Sequence, residues 1–387
     1  MRLLFTFTGG SGHFEPLVPI ARAAVAAGHS VAFAGQAVMV PAVEAAGFTA
    51  FATGGATFMS TPKRLPLLKL DMEREERDLR EGFAGRVAPE RAQAVLELCA
   101  DWRPDLLVCE EIDFGPMIAA ERLGLPHATV QVIAAGSLVR PDVVAAPLDA
   151  LRAAHGLPPD PGLAMPGRYL FLSPFPPSYR DPAFPLPPGA RVLRPAARAE
   201  ATPPVRPWTP ALPDAPTIYF TLGTVFNVES GDLFERALAG LRQLPLNVIV
   251  TVGRELDPAV FGPQPAHIQI ARYIPQAALL PHCAAVVSHG GSGSVMGTLA
   301  HGLPMVLLPM GADQPLNAAR CAALGVARVL DALEATPADV RDAVAAVLAD
   351  PRPRRAAERL RDEIAALPGP ESAVPLLERL ATGGGAA

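Results

Sequence analysis

Half of the 387 residues are hydrophobic and 18% are charged, enough for two domains of ordinary size, each with a sizeable core. A net charge of -5 leaves no basic footprint for nucleic acid, and no apolar run is long enough to span a bilayer. The four cysteines, Cys99, Cys109, Cys283 and Cys321, lack CxxC spacing and sit in apolar or helical stretches, which predicts reduced thiols in a cytoplasmic protein rather than disulfides or a metal site. The start, Met1–Phe7, is too short for a signal peptide and is broken at once by Gly9-Gly10. Arg2–Phe7 reads as a strand, followed by a glycine loop and an amphipathic helix from Glu15 to Ala27. Ser30–Ala34, Phe48–Phe51, Asp105–Cys109 and His127–Val132 read as further strands, with a helix over Phe114–Leu123. Residues 54–100 interrupt this rhythm with the mixed-charge run Lys69–Asp78, read as a solvated helix face or as a lid over a pocket.

Prolines cluster between residues 174 and 216, and Thr202–Pro210 loses all periodicity, as an interdomain linker does. The alternation then restarts with strands at Thr217–Leu222, Leu246–Val252, Ile268–Ala271, Ala284–Ser288 and Met305–Leu308. Helical stretches, including Asp339–Ala349 and Arg354–Leu367, close the chain before a glycine-rich tail, read as disordered. The fold class is therefore α/β, two similar Rossmann-like halves with parallel sheets covered on both faces. The expected boundaries are 1–201 for the first domain, 202–215 for the linker, 216–370 for the second domain and 371–387 for a closing helix and flexible tail. Ligands are expected at strand C-terminal ends, facing the cleft between the halves.

Chemistry concentrates in two glycine loops. Ser288-His289-Gly290-Gly291-Ser292-Gly293-Ser294 follows a buried apolar strand and precedes a helix. Its glycines admit a ligand close to the backbone, and the helix N-terminus offers free N–H groups, so it reads as a cradle for a phosphate or diphosphate. His289 and Asp313-Gln314 have a structural reading as well, as helix caps or partners in buried bonds. At the other end, Thr8-Gly9-Gly10-Ser11-Gly12-His13 lacks the third glycine spacing of a dinucleotide fingerprint. His13 is either an ordinary loop histidine or a general base. Glu110 and Glu111, directly after a buried strand, are alternative partners for it; equally, both acids serve to cap the helix starting near Asp113.

Four motifs occur in one order: Gly12-His13-x-x-Pro16, Tyr273-Ile274-Pro275-Gln276, His289–Ser294 and Pro309-x-x-x-Asp313-Gln314. In this the chain resembles the GT-B nucleotide-sugar glycosyltransferases of the UDP-glycosyltransferase type, including the bacterial enzymes that glycosylate macrolides, enediynes and aromatic natural products. The resemblance covers essentially the whole chain and is strongest over residues 272–325. It implies two Rossmann-like domains facing each other across a cleft. It implies His13 as the base that deprotonates an acceptor hydroxyl and Glu110 in the place of the family's carboxylate partner, usually an aspartate, with Glu111 as competitor. Tyr273 stands where a tryptophan commonly stacks on the pyrimidine, and Ile274 offers backbone groups to the base edge. Gln276 belongs to the same donor motif. His289, Gly291, Gly293 and Ser294, helped by Thr224, would bind the diphosphate, and Asp313 and Gln314 the sugar hydroxyls. Plant members often carry a ribose-binding glutamate three residues after the position of Ser294; here that position is Gly297, which implies tolerance of deoxyribose and hence of dTDP- as well as UDP-sugars.

The reaction the resemblance implies is inverting, metal-independent transfer of a hexose to oxygen, with a nucleotide sugar as co-substrate and no cofactor. Phe58, Met59, Phe83, Phe114 and Met117 are candidates for lining an apolar acceptor pocket, although core packing is the commoner fate of such residues. Asp142 and Asp149 make no convincing metal pair. The rival readings are a non-catalytic nucleotide-sugar-binding protein and another enzyme of the same architecture, such as an epimerase.

Overall fold

Among the described residues, thirteen strands form two parallel sheets. The computed structural model describes residues 1–54, 64–195, 211–212, 214–224 and 226–383. The first sheet runs β3-β2-β1-β4-β5-β6-β7, from β1 (Arg2–Thr6), β2 (Ser30–Gly35), β3 (Thr49–Ala52), β4 (Leu106–Glu110), β5 (His127–Val130), β6 (Leu170–Ser173) and β7 (Arg191–Val192). The second runs β10-β9-β8-β11-β12-β13, from β8 (Thr217–Thr221), β9 (Asn247–Thr251), β10 (Ile268–Ala271), β11 (Ala285–Ser288), β12 (Met305–Leu307) and β13 (Ala327–Val329). Both have the doubly wound order in which the chain reverses direction beside its first strand. In sheets of this kind ligands bind at that switch point, outside the strands' carboxyl ends. In the first sheet the switch lies between β1 and β4, and in the second between β8 and β11.

These central strands are continuous apolar runs because helices cover both faces. All of β4, β8 and β11 is buried, as is β1 beyond Arg2. The helix expected over Glu15–Ala27 is split into Ser11–Phe14 and Val18–Ala26. Pro16, lacking an N–H, falls in the break. Helices Ala88–Trp102 and Phe114–Leu123 cross closely at Gly115, where a Cβ would lie 2.3 Å from the Ala88 carbonyl oxygen. The charge-rich run gives a short helix, Met72–Arg77, that buries no residue, followed by a wider π-helical stretch, Asp78–Val87. Pro141–Ala154, with Asp142 and Asp149, is a helix despite its internal Pro147.

By contact density the chain divides into two compact units that are discontinuous in sequence. One comprises Met1–Phe58, Met72–Ala196 and Leu367–Ala387; the other comprises Met59–Asp71 and Ala197–Ala366. The closing helix Val374–Ala381 belongs to the first unit. Val374, Leu377 and Leu380 are buried in one core with Leu3, Phe5 and Phe33. His29 Nε2 lies 3.0 Å from Glu378 Oε1, and Arg194 N donates to Pro368 O at 2.6 Å. The second unit has its own core around Phe220, Phe234, Val250 and Val306. Residues 384–387 of the tail lie outside the described residues, as do residues 196–210 and 213, which include most of the expected linker. Among the described residues no helix is long and apolar enough to cross a membrane.

Candidate active site

In the first unit, β1 and β4 deliver His13 and Glu110 to the two sides of the switch point. Gly9 adopts φ +92°, and a Cβ there would sit 2.8 Å from His13 Cδ2, so the glycine both turns the chain and makes room for the ring. His13 Nδ1 stands 3.3 Å from Glu110 Oε1, with Glu110 fully buried and the His13 side chain 28% exposed. Glu110 Oε1 also accepts from Ile112 N at 2.9 Å, and Oε2 from Thr8 N at 3.5 Å. A carboxylate facing Nδ1 favours the tautomer with its proton there. That leaves Nε2 with a lone pair for an incoming hydroxyl proton.

Glu111, the competitor, lies in the turn just beyond β4 and is bonded away from His13. Its Oε2 accepts from Val132 N and Ile133 N, both at 3.1 Å. Burial pushes its carboxyl up to about 7, against the pull of those two bonds and of Arg180. Neither glutamate caps the helix beginning at Phe114. Its N-cap is Asp113, whose carboxylate is taken by Arg91 instead of by the helix. Phe114 and Met117 are fully buried because this helix packs against both the sheet and helix Ala88–Trp102, so neither presents a surface to a ligand. Phe83 is half-buried on the π-helical stretch, while Phe58 and Met59 lie outside the described residues.

In the second unit, His289 follows β11 and is 8% exposed. Its Nε2 would lie 2.6 Å from a Cβ at Gly223 and the same distance from one at Gly291, so two glycines form its slot. Burial lowers its pKa to about 4, which makes it a neutral hydrogen-bonding group at pH 7 rather than a cation. Gly291 is the N-cap of helix Ser292–Ala300, and Gly293 and Ser294 lie in its first turn. Among the described residues, nothing beyond its own chain neighbours and helix backbone lies within 4 Å of the Cβ position at Gly293. Thr224 is exposed just beyond β8, after Gly223 at φ +80°.

Asp313 is the N-cap of helix Gln314–Ala323, by its backbone carbonyl and with no side-chain cap bond. Its Oδ2 accepts from Ser292 Oγ at 2.6 Å and from Asn317 Nδ2 at 2.8 Å. Asn317, which belongs to none of the four motifs, is fully buried and also donates to Gly290 O at 3.1 Å, tying the glycine loop to Asp313. Its only sequence signal is the four-residue spacing from Asp313 on one helix face. Gln314 is almost wholly buried, with Oε1 accepting from Met310 N at 2.9 Å. Tyr273 is half-buried beyond β10, beside half-buried Ile274, with the Arg254 guanidinium 4.5 Å from its ring centre. Gln276 begins the next short helix, and its Nε2 donates to Ser294 Oγ at 3.3 Å. Among the described residues no three His, Cys, Asp or Glu side chains are grouped to hold a metal ion.

Two doubly wound sheets, each with candidate site residues at its switch point, are the architecture of GT-B glycosyltransferases, and comparison with known proteins agrees. Residues 235–380 match the family described as erythromycin biosynthesis protein CIII-like, C-terminal domain. The L-demethylnoviosyl transferase of Streptomyces niveus is 32% identical, with 96% of each chain covered. Among solved structures, the glycosyltransferase VinC in complex with dTDP is 25% identical with a TM-score of 0.77, over 99% of this chain and 100% of that one. The spinosyn rhamnosyltransferase SpnG complexed with spinosyn aglycone is 26% identical with a TM-score of 0.80, over 98% and 100%. The chain belongs to the GT-B nucleotide-sugar glycosyltransferases of the UDP-glycosyltransferase type, in the branch that serves natural-product and antibiotic biosynthesis. It is a glycosyltransferase whose co-substrate is a nucleotide sugar.

Proposed function

We propose that the protein is an inverting, metal-independent hexosyltransferase. It moves a sugar from a dTDP- or UDP-sugar to a hydroxyl of an apolar acceptor of polyketide, macrolide or aromatic type, in the cytoplasm. The observation that carries this reading is the 3.3 Å approach of His13 Nδ1 to the buried Glu110 carboxylate, with the ring partly exposed. In this reaction His13 Nε2 takes the hydroxyl proton as the acceptor oxygen attacks the anomeric carbon. The bond from that carbon to the diphosphate oxygen breaks on the opposite face. Glu110 stabilises the imidazolium formed. The second unit receives the leaving diphosphate on the N–H groups of the first turn of helix Ser292–Ala300, with Ser294, Thr224 and neutral His289 as further donors. Tyr273 is the platform for the base, Ile274 offers backbone groups to its edge, and Asp313 and Gln314 face the sugar hydroxyls.

Acceptor class is inferred from relatives that include a TDP-daunosamine transferase and the spinosyn enzyme seen with its aglycone. Tolerance of deoxyribose is supported at Gly297. There a Cβ would have Gln276 Oε1 as its nearest neighbour, at 3.2 Å, a neutral amide in place of a carboxylate.

A mass-spectrometric screen of dTDP- and UDP-sugars against macrolide and phenolic acceptors tests the reading. Transfer is expected with wild type, lost in His13→Ala, while dTDP binding by the variant stays within a few-fold. Undiminished transfer by His13→Ala would refute the mechanism, and loss of activity to a chelator with recovery on adding magnesium would refute metal independence.

A further inference from the structure

Beneath the diphosphate cradle, a line of polar groups crosses the second unit. Gly223 N donates to Thr221 Oγ1 at 3.3 Å. Thr251 Oγ1 is 3.1 Å from Thr221 Oγ1 and 2.7 Å from Tyr219 Oη. The Gln276 side chain is another hydrogen-bond partner of the Tyr219 phenol, and Gln276 Nε2 donates to Ser294 Oγ at 3.3 Å. Tyr219 and Thr221 project from the same face of β8, and Thr251 is the register partner of Thr221 on β9. Tyr219, Thr221 and Thr251 are all buried.

The direction of the line follows from counting protons. The Gly223 amide only donates, so Thr221 Oγ1 accepts there, and it accepts from Thr251 Oγ1 as well. Thr251, having given its proton to Thr221, accepts from the Tyr219 phenol. The Gln276 NH2 group has two protons, one for Ser294 Oγ and one for the Tyr219 oxygen. At the far end, among the described residues, Ser294 Oγ accepts the Gln276 bond and donates none. Its proton is free for an anion at the helix N-terminus.

We propose that Tyr219, Thr221 and Thr251 form a hydrogen-bonded chain that fixes the Gln276 amide and makes the Ser294 hydroxyl a standing donor to the donor's diphosphate. The chain also links the two walls of the cradle, the Gly223–Thr224 turn and the first turn of helix Ser292–Ala300. The three are positioning residues. This inference rests on the donor-site reading above.

The test is calorimetric binding of dTDP to full-length Tyr219→Phe, Thr251→Val and Thr251→Ser, with Tyr219→Phe repeated in a Ser294→Ala background. Tyr219→Phe and Thr251→Val are each expected to weaken dTDP binding about tenfold, and to raise the donor KM with little change in kcat. Thr251→Ser, which keeps the hydroxyl, restores binding. In the Ser294→Ala background, Tyr219→Phe has no further effect, because the group it orients is gone. Wild-type affinity in both Tyr219→Phe and Thr251→Val, or an equal loss with and without Ser294, overturns the inference. Wild-type affinity in Ser294→Ala itself overturns the donor-site reading, and the chain's role with it.

Discussion

Arg91 holds both carboxylate oxygens of Asp113, Nε to Oδ1 at 2.9 Å and Nη2 to Oδ2 at 2.5 Å, with both side chains out of solvent. The same guanidinium donates to the carbonyl oxygens of Ala34 and Thr53, so it gathers the carboxyl ends of β2, β3 and β4. Asp113 N in turn donates to Glu110 O at 3.0 Å. Removing one partner leaves a buried charge alone. Asp113→Ala is therefore expected to destabilise the first unit by about 3–5 kcal/mol in urea unfolding. A double replacement by apolar residues, Arg91→Met with Asp113→Leu, should recover much of that loss.

The two adjacent glutamates should separate cleanly. Glu110→Gln keeps the shape but cannot stabilise an imidazolium, and transfer is expected to fall by about a hundredfold or more. Glu111→Gln should transfer within a few-fold of wild type, measured as product formed per minute under saturating donor.

Glu111 carries a pH signature instead. Its folded carboxyl stays protonated up to about 7, whereas the unfolded one ionises from the ordinary 4.5. Its contribution to stability is thus complete below pH 4.5 and is lost as pH rises through 7, on the order of 3 kcal/mol. Glu111→Gln should gain on wild type across that interval in denaturant titrations, and match it at pH 4.5.

Two histidines act with the opposite sign. Burial lowers both His127 and His289 to about 4 from 6.5. The unfolded chain takes up their protons first as pH falls, so their stabilisation is complete above 6.5 and lost on the way to 4. Wild-type stability should fall between those values, with Glu111 offsetting part of the loss. A His127→Gln variant should show a shallower fall in its urea midpoint. For His289, neutrality has a ligand consequence: Asn, a neutral donor, should preserve dTDP binding better than Ala, which is expected to weaken it about tenfold at pH 7.5.

Competition binding will test the donor preference. dTDP should displace a bound donor at least as well as UDP, and a strong preference for UDP would contradict the reading of Gly297.

Strands β1, β4, β8 and β11 were legible in the sequence because a doubly covered parallel sheet demands uninterrupted apolar runs. The edge strands β7 and β13 were not: the first is two residues long and the second is half-exposed. Helix Pro141–Ala154 was not assigned from the sequence, because Pro147 interrupts its pattern. The donor motif was readable as local glycine chemistry, and its order gave the family. Choosing between Glu110 and Glu111 required knowing that β4 ends at Glu110 and that the turn hands Glu111 to the Val132 and Ile133 amides, which two consecutive glutamates do not encode. The Tyr219 chain left one faint mark, a tyrosine and a threonine two apart in an apolar strand. Its other half comes from β9, thirty residues on.

The return of the closing helix to the first unit sets an order of assembly on the ribosome. Every segment of the second unit has been synthesised by residue 366, while the core around Leu3, Phe5 and Phe33 still lacks Val374, Leu377 and Leu380. The half that emerges first is the half that is completed last. During translation its unfinished apolar face is the one that needs shielding, and a stop codon shortly before residue 374 would cripple the unit that carries His13 while leaving the second unit whole.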